Sequence, residues 1–184
     1  MTVPLRVEEE PSTLKTMRAA RYVAPTQVMP EQVAMPEIGN EEALIAVEAC
    51  GFCGSDMNIT AGTHPRANAP ITPEHELCGR AVEIKSLHNM ISARDLVTAF
   101  PLLSFGLCYG CLNGKSHACE DLRLNGFDVD GGMAQFVKLP VSALDKLPDE
   151  MPTLKGASIE PSAVAVNGIG PAHLDHARIA AVRN

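Results

Sequence analysis

Residues 48–56 read Glu-Ala-Cys-Gly-Phe-Cys-Gly-Ser-Asp, and residues 73–76 read Pro-Glu-His-Glu. The first stretch follows a short apolar run, Ala43–Val47. It sets a thiol (Cys53), a hydroxyl (Ser55) and a carboxylate (Asp56) in a tight, glycine-flanked turn. The second stretch adds an imidazole (His75) and the carboxylates Glu74 and Glu76. Cysteine, histidine and carboxylate are the donors of catalytic zinc sites, which keep one coordination position open. Spacing alone leaves three readings of Cys50-x2-Cys53: metal ligation, a redox pair, or two buried small side chains.

Outward from this turn the pattern is mostly β. Met17–Val23, Ala43–Val47, Cys78–Ile84, Leu96–Phe100 and Met133–Leu139 are short apolar runs bounded by turn formers, as strands are. The stretches between them are rich in Pro, Gly, Asn and His, which suits long functional loops. Helices are expected at Ser55–Ala61 and, despite Pro161, at Leu154–Val166. Residues 1–16 lack a clear period and read as an N-terminal extension.

The chain has 184 residues, is 46% hydrophobic and carries a formal charge of −7. That size allows one large domain or one domain with tails. With no Trp, two Tyr and five Phe, aliphatic side chains must fill the core. An acidic chain without basic runs repels phosphate, so nucleic acid is not an expected partner. No apolar stretch approaches the roughly 20 residues of a membrane helix, and no secretory signal is evident. A cytoplasmic setting follows, in which the six cysteines stay reduced rather than form disulfides.

Several ordered motifs carry a resemblance. They are Arg-Ala-Ala-Arg-Tyr at 18–22, the Cys53 turn at 48–56, Pro-Glu-His-Glu-Leu-Cys-Gly-Arg-Ala-Val at 73–82 and Asp-Val-Asp-Gly-Gly-Met-Ala-Gln-Phe-Val at 128–137. Together, from about Met17 onward, they resemble the N-terminal GroES-like domain of zinc-dependent medium-chain alcohol dehydrogenases. The sorbitol, threonine and related polyol branch is the most similar. The resemblance implies a mainly β fold, a partly open β-barrel with long loops and a few short helices.

The resemblance also assigns roles. Cys53 and His75 match the thiolate and imidazole ligands of the catalytic zinc, and Glu76 the carboxylate beside it. Glu160, in Ile-Glu-Pro-Ser at 159–162, matches a further ligand or near-ligand; its bland reading is the start of a helix turn. Ser55 matches the hydroxyl that relays the substrate's proton, and Asp56 a carboxylate behind the histidine, expected to fix its tautomer. His64 is either a pocket residue or a plain surface side chain. Cys50 and Cys78 are expected to be buried without a ligand role. The implied activity is oxidation of a small alcohol or polyol, with hydride passing to NAD(P).

The resemblance also marks departures. Cys108, Cys111 and Cys119 fall where many relatives hold a structural zinc with four cysteines, in a lobe at 104–121. Phe105 stands at the first of those four positions. The site is thus degenerate, either occupied with a substitute such as His117 or left with thiols that are free or partly oxidised. Glu74, Lys85 and Arg94 stand at or near positions where relatives often have glycine. Finally, Ala177–Val182 resembles the first strand of a Rossmann domain. No Gly-x-Gly-x-x-Gly follows it, and Gly168-Ile-Gly170 precedes it and does not qualify. The expected organisation is an extension (1–16), a zinc-binding catalytic domain (17–170) and the start of a nucleotide-binding domain (171–184). NAD(P) binding and hydride transfer then need a further segment or a separate chain, and a homo-oligomer is compatible with the family. The alternative is a stand-alone, non-catalytic zinc-binding module.

Overall fold

The computed structural model describes residues 15–87 and 91–169. Along these residues run β1 (Thr16–Ala24), β2 (Gln27–Ala34), β3 (Glu42–Cys50), α1 (Gly54–Thr60), β4 (Leu77–Lys85), β5 (Leu96–Ala99) and β6 (Leu102–Leu103). They continue with α2 (Tyr109–Leu112), β7 (Arg123–Leu124), β8 (Phe136–Pro140), β9 (Leu144–Lys146), α3 (Thr153–Ala157) and α4 (Ile159–Ile169). A five-stranded antiparallel sheet has the order β8-β3-β4-β5-β9. Its outer strands β8 and β9 do not pair with each other. The barrel is therefore partly open, as the mainly β expectation holds.

The centre of the sheet explains its own sequence. Strand β3 is apolar almost throughout, because it is covered on both faces. Ala43, Ile45, Val47, Leu77, Ala81, Val97 and Leu139 form the main buried cluster. Each fully buried aliphatic side chain of this kind contributes roughly 1.5–3 kcal/mol. Gly79 of β4 lies against β3 so closely that an added Cβ would overlap the Ala46 carbonyl oxygen. The β3–β4 register also shifts between Leu44 and Ile45 and between Val47 and Ala49. Such bulges bend a strand and re-aim its end.

The ribbon β1–β2 packs beside this sheet through the bridges Ala19↔Ala134 and Tyr22↔Ile71. Strand β2 has no counterpart in the sequence reading. It contains Pro30 and is exposed along most of its length, as an edge strand can be, so it shows no apolar alternation. The expected helix over Leu154–Val166 is two helices, broken at Ser158. Pro161 falls in the first turn of α4, where its missing N–H has no helical partner to lose. The strand expected from Met133 starts at Phe136; Met133 instead bonds through its backbone to Ala20 and Pro73.

Thr16 already pairs with Ala34 in the ribbon. The rest of the expected extension, apart from Lys15, and the expected Rossmann strand Ala177–Val182 lie outside the described residues. Among the described residues no helix is long and apolar enough to cross a membrane.

Candidate metal centre

Strand pairing assembles this centre. The β3–β4 register sets Cys50 opposite Leu77. The residues just after Cys50 and just before Leu77 must then leave the sheet side by side. A hydrogen bond from Gly51 N–H to the Glu76 carbonyl, 2.7 Å, continues the ladder one step further. Gly51 has no room for a side chain there, since a Cβ would overlap the Glu76 carboxylate. Two segments distant in sequence thus converge: the Cys53 turn and Pro73–Glu76.

The donor atoms follow. Cys53 Sγ, one ring nitrogen of His75 and a carboxylate oxygen of Glu76 all lie within 4.8 Å of one another. His75 Nε2 is 3.9 Å from Cys53 Sγ and 4.0 Å from Glu160 Oε2. Glu160, in the first turn of α4, therefore stands at the rim of the trio. Ser55 Oγ lies 2.5 Å from Cys53 Sγ. Asp56 is wholly buried, and its Oδ2 accepts the Cys53 N–H at 2.9 Å, locking the turn that opens α1.

Burial sets the electrostatics. It lowers the His75 imidazole below its usual value, against the pull of Asp56, so the ring is neutral near pH 7 with a lone pair to offer. Burial raises the Cys53 thiol, offset by hydrogen bonds from Ser55 and nearby amides. It also raises Glu76, and Glu160, which additionally faces Glu76. A thiol and carboxylates whose anionic forms burial disfavours, beside a neutral imidazole, are a donor set suited to a dication.

Glu74 stands in a backbone conformation that favours glycine. Its backbone keeps the left-handed conformation, φ 86°. The loop opposite accommodates it with glycines: a Cβ on Gly126 would sit 2.7 Å from Glu74 N, and one on Gly131 would overlap its carbonyl oxygen. The Glu74 side chain is fully buried. Its Oε1 accepts the N–H groups of His75 (2.8 Å) and Glu76 (2.5 Å). Burial, with Asp56 beside it, pushes its carboxyl up to about 8. A carboxyl raised to about 8 is mostly protonated at neutral pH. Arg94 likewise keeps a positive φ, 75°, whereas Lys85 does not.

One expectation needs correction. The hydrogen bond to Asp56 that was to fix the His75 tautomer is not made: His75 Nδ1 and Asp56 Oδ1 are both buried without a partner. The ring packs instead on Phe127, centroids 5.4 Å apart. His64 also packs on Phe127, at 4.7 Å, and its Nδ1 accepts the N–H groups of Arg66 and Ala67. Phe127 was not singled out from the sequence, although Asn125-Gly126 before it marks a turn. Its loop is tied down by the pairs Arg21–Asp130 (2.5 Å) and Arg66–Asp128 (2.6 Å). The first pair joins the motif at 18–22 to the motif at 128–137; the second ties that motif to Arg66.

The lobe gathers a second set. Cys108, Cys111 and Cys119 place their sulfurs within 4.8 Å of one another, in a group that includes no nitrogen of His117. All six cysteines are free thiols. Burial pushes Cys50 and Cys78 up to about 11, so both are neutral thiols.

Comparison with known proteins agrees with this geometry. Residues 39–149, more than half of the chain, match the alcohol dehydrogenase GroES-like domain. The chain belongs to the alcohol dehydrogenase GroES-like domain family. An uncharacterized zinc-type alcohol dehydrogenase-like protein of Haemophilus influenzae is 33% identical over 146 residues, covering 79% of this chain and 43% of the relative. An L-threonine 3-dehydrogenase of Caldanaerobacter subterraneus is 31% identical, covering 74% and 45%. A Sinorhizobium meliloti protein described as a zinc-binding dehydrogenase and solved with NADP superposes with TM-score 0.78 at 33% identity, over 85% of this chain and 45% of that one. Escherichia coli galactitol-1-phosphate dehydrogenase gives 0.79 at 28% identity, over 85% and 45%. The GroES-like chain spans less than half the length of these relatives.

Proposed function

We propose that residues 17–170 are the zinc-binding catalytic domain of an NAD(P)-dependent dehydrogenase acting on a small alcohol or polyol. The observation that carries this reading is the convergence of Cys53 Sγ, a His75 ring nitrogen and a Glu76 carboxylate within 4.8 Å. The donor chemistry fits zinc: one soft thiolate, one neutral imidazole and hard carboxylate oxygen. Cys53, His75 and Glu76 would hold the ion, with Glu160 as an additional or exchanging carboxylate. Bound zinc supplies Lewis acidity, which makes an alcohol hydroxyl easier to deprotonate.

The chain's own residues do the rest. Ser55 Oγ, next to Cys53, accepts the substrate's hydroxyl proton and passes it outward. Asp56 holds the Cys53 turn through its backbone N–H. Glu74 Oε1 holds the two amides that present His75 and Glu76. A bound nicotinamide would supply hydride acceptance, and residues 171–184 would begin the nucleotide-binding part. Six unpaired thiols agree with a reducing, cytoplasmic setting.

Metal analysis of the purified chain tests the site. The native chain is expected to hold zinc, and the double substitution Cys53→Ala/His75→Ala to lose one equivalent. Full zinc retention in the double variant overturns the assignment. Thermal unfolding gives a second readout: zinc should raise the melting temperature of the native chain through this site, and the double variant should lose that increment.

A further inference from the structure

Cys108, Cys111 and Cys119 present three thiols, where a closed structural zinc site uses four ligands. No Asp, Glu or His donor among the described residues joins their group. A four-ligand zinc knot therefore does not fit these residues. Yet the lobe is built to hold the sulfurs. The Cys108 and Cys111 sulfurs are 3.5 Å apart, and Cys108 and Cys119 are each only 8% exposed. Gly110 packs against the other arm of the lobe, where a Cβ would come 2.7 Å from the Ala118 carbonyl oxygen. Phe105, three residues before Cys108, has a half-exposed ring with no donor atom.

We propose that this lobe is a three-thiolate site for a soft monovalent ion, Cu(I), rather than a zinc knot. Thiolate ligands suit Cu(I) as well as zinc, but Cu(I) is satisfied by three sulfurs in a trigonal plane, whereas structural zinc takes four donors. With metal–sulfur bonds of about 2.3 Å, three sulfurs in a plane stand roughly 4 Å apart, inside the observed 4.8 Å limit. Donor number, not cavity size, makes the choice. On binding, each thiol still protonated gives its proton to solvent as its sulfur bonds the ion, and no oxidation state changes. The site shares no ligand with the Cys53 centre, so it stands or falls separately from the proposed catalytic role.

The test uses reduced, anaerobic chain carrying Cys53→Ser and His75→Ala, so that only the lobe remains. Cu(I) is titrated against a bicinchoninate competitor, and X-ray absorption counts the sulfurs. The expected result is one Cu(I) per chain with three Cu–S contacts, abolished by Cys119→Ser. Phe105→Cys should raise zinc affinity at the lobe roughly 100-fold by restoring the fourth ligand. Cu(I) uptake unchanged in Cys119→Ser, a count of two or four sulfurs in the parent, or zinc held by the parent as tightly as by Phe105→Cys would each overturn the proposal. The sulfur count needs no lobe variant and so survives any folding defect.

Discussion

Glu74 and Arg94 occupy the same kind of backbone position for different reasons. Both have positive φ, 86° and 75°, where an L side chain is strained by about 1–2 kcal/mol. Arg94 gets nothing visible in return: its side chain is exposed, and its neighbours bond only to its backbone, at Ala81 and Arg80. Arg94→Gly is therefore expected to stabilise the chain by about 0.5–1 kcal/mol, after the entropy cost of glycine in the unfolded state. Glu74 is compensated by the two amides its carboxyl receives. Glu74→Gly relieves the same strain but leaves those buried amides without an acceptor, and should lose about 1–3 kcal/mol. Urea unfolding midpoints of the two variants decide the point; a gain in both would mean that the Glu74 bonds contribute nothing. The residues of the trio were legible in the sequence because their chemistry is rare and their motifs are ordered. Phe127 was not, since an aromatic in a turn has no chemical signature until two histidines are found packed against it.

At the scale of elements, pairing of strands decides what the site can be. Strands β3 and β4 were readable as apolar runs, and their ends carry the metal donors. Their register, with its two shifts, was not readable, because apolar alternation is lost where a strand is covered on both faces. Strand β9 is three residues long and joins the sheet edge through β5, too short for a pattern. An ion pair assists it: Lys146 Nζ lies 2.7 Å from Asp95 Oδ1. The Lys146 hydrogen bond and the Ser92 amide hold the Asp95 carboxyl below its ordinary value, 3.8, and the same contact raises Lys146 above 10.5. The stabilisation from Asp95 is present above the ordinary aspartate value and is lost as pH falls through the depressed one. The stabilisation from Lys146 is lost as pH rises through its raised value. Asp95→Asn should thus lower the melting temperature slightly at pH 7, and the difference should shrink as pH drops below about 4. An equal difference at pH 7 and at the acid end would refute this.

Across the whole molecule, stability is concentrated in the five-stranded sheet, whose central residues Ala43, Ile45, Leu77, Ala81 and Val97 are fully buried. The cysteine lobe keeps Leu107, Tyr109 and Leu112 largely exposed and rests on short elements. Amide hydrogen exchange is expected to be slowest in β3 and β4 and faster in residues 104–121 by roughly a thousandfold or more. Equal protection would mean that lobe and sheet unfold as one unit. Taken alone, the sequence determined the fold class, the family resemblance, the donor types at Cys53, His75 and Glu76, and the non-ligating side chain of Phe105 beside three cysteines. Each of these depends on which side chains exist, and chemistry of that kind can be read along the chain. Only the tertiary structure decided that Gly51 N–H zips the two donor segments together, that Glu74 is buried and neutral, and that His75 rests on Phe127 rather than on Asp56. It also decided that three sulfurs close on one another without His117. These outcomes rest on distance and burial between residues far apart in sequence, set by the pairing of β3 with β4 and by the loops it anchors.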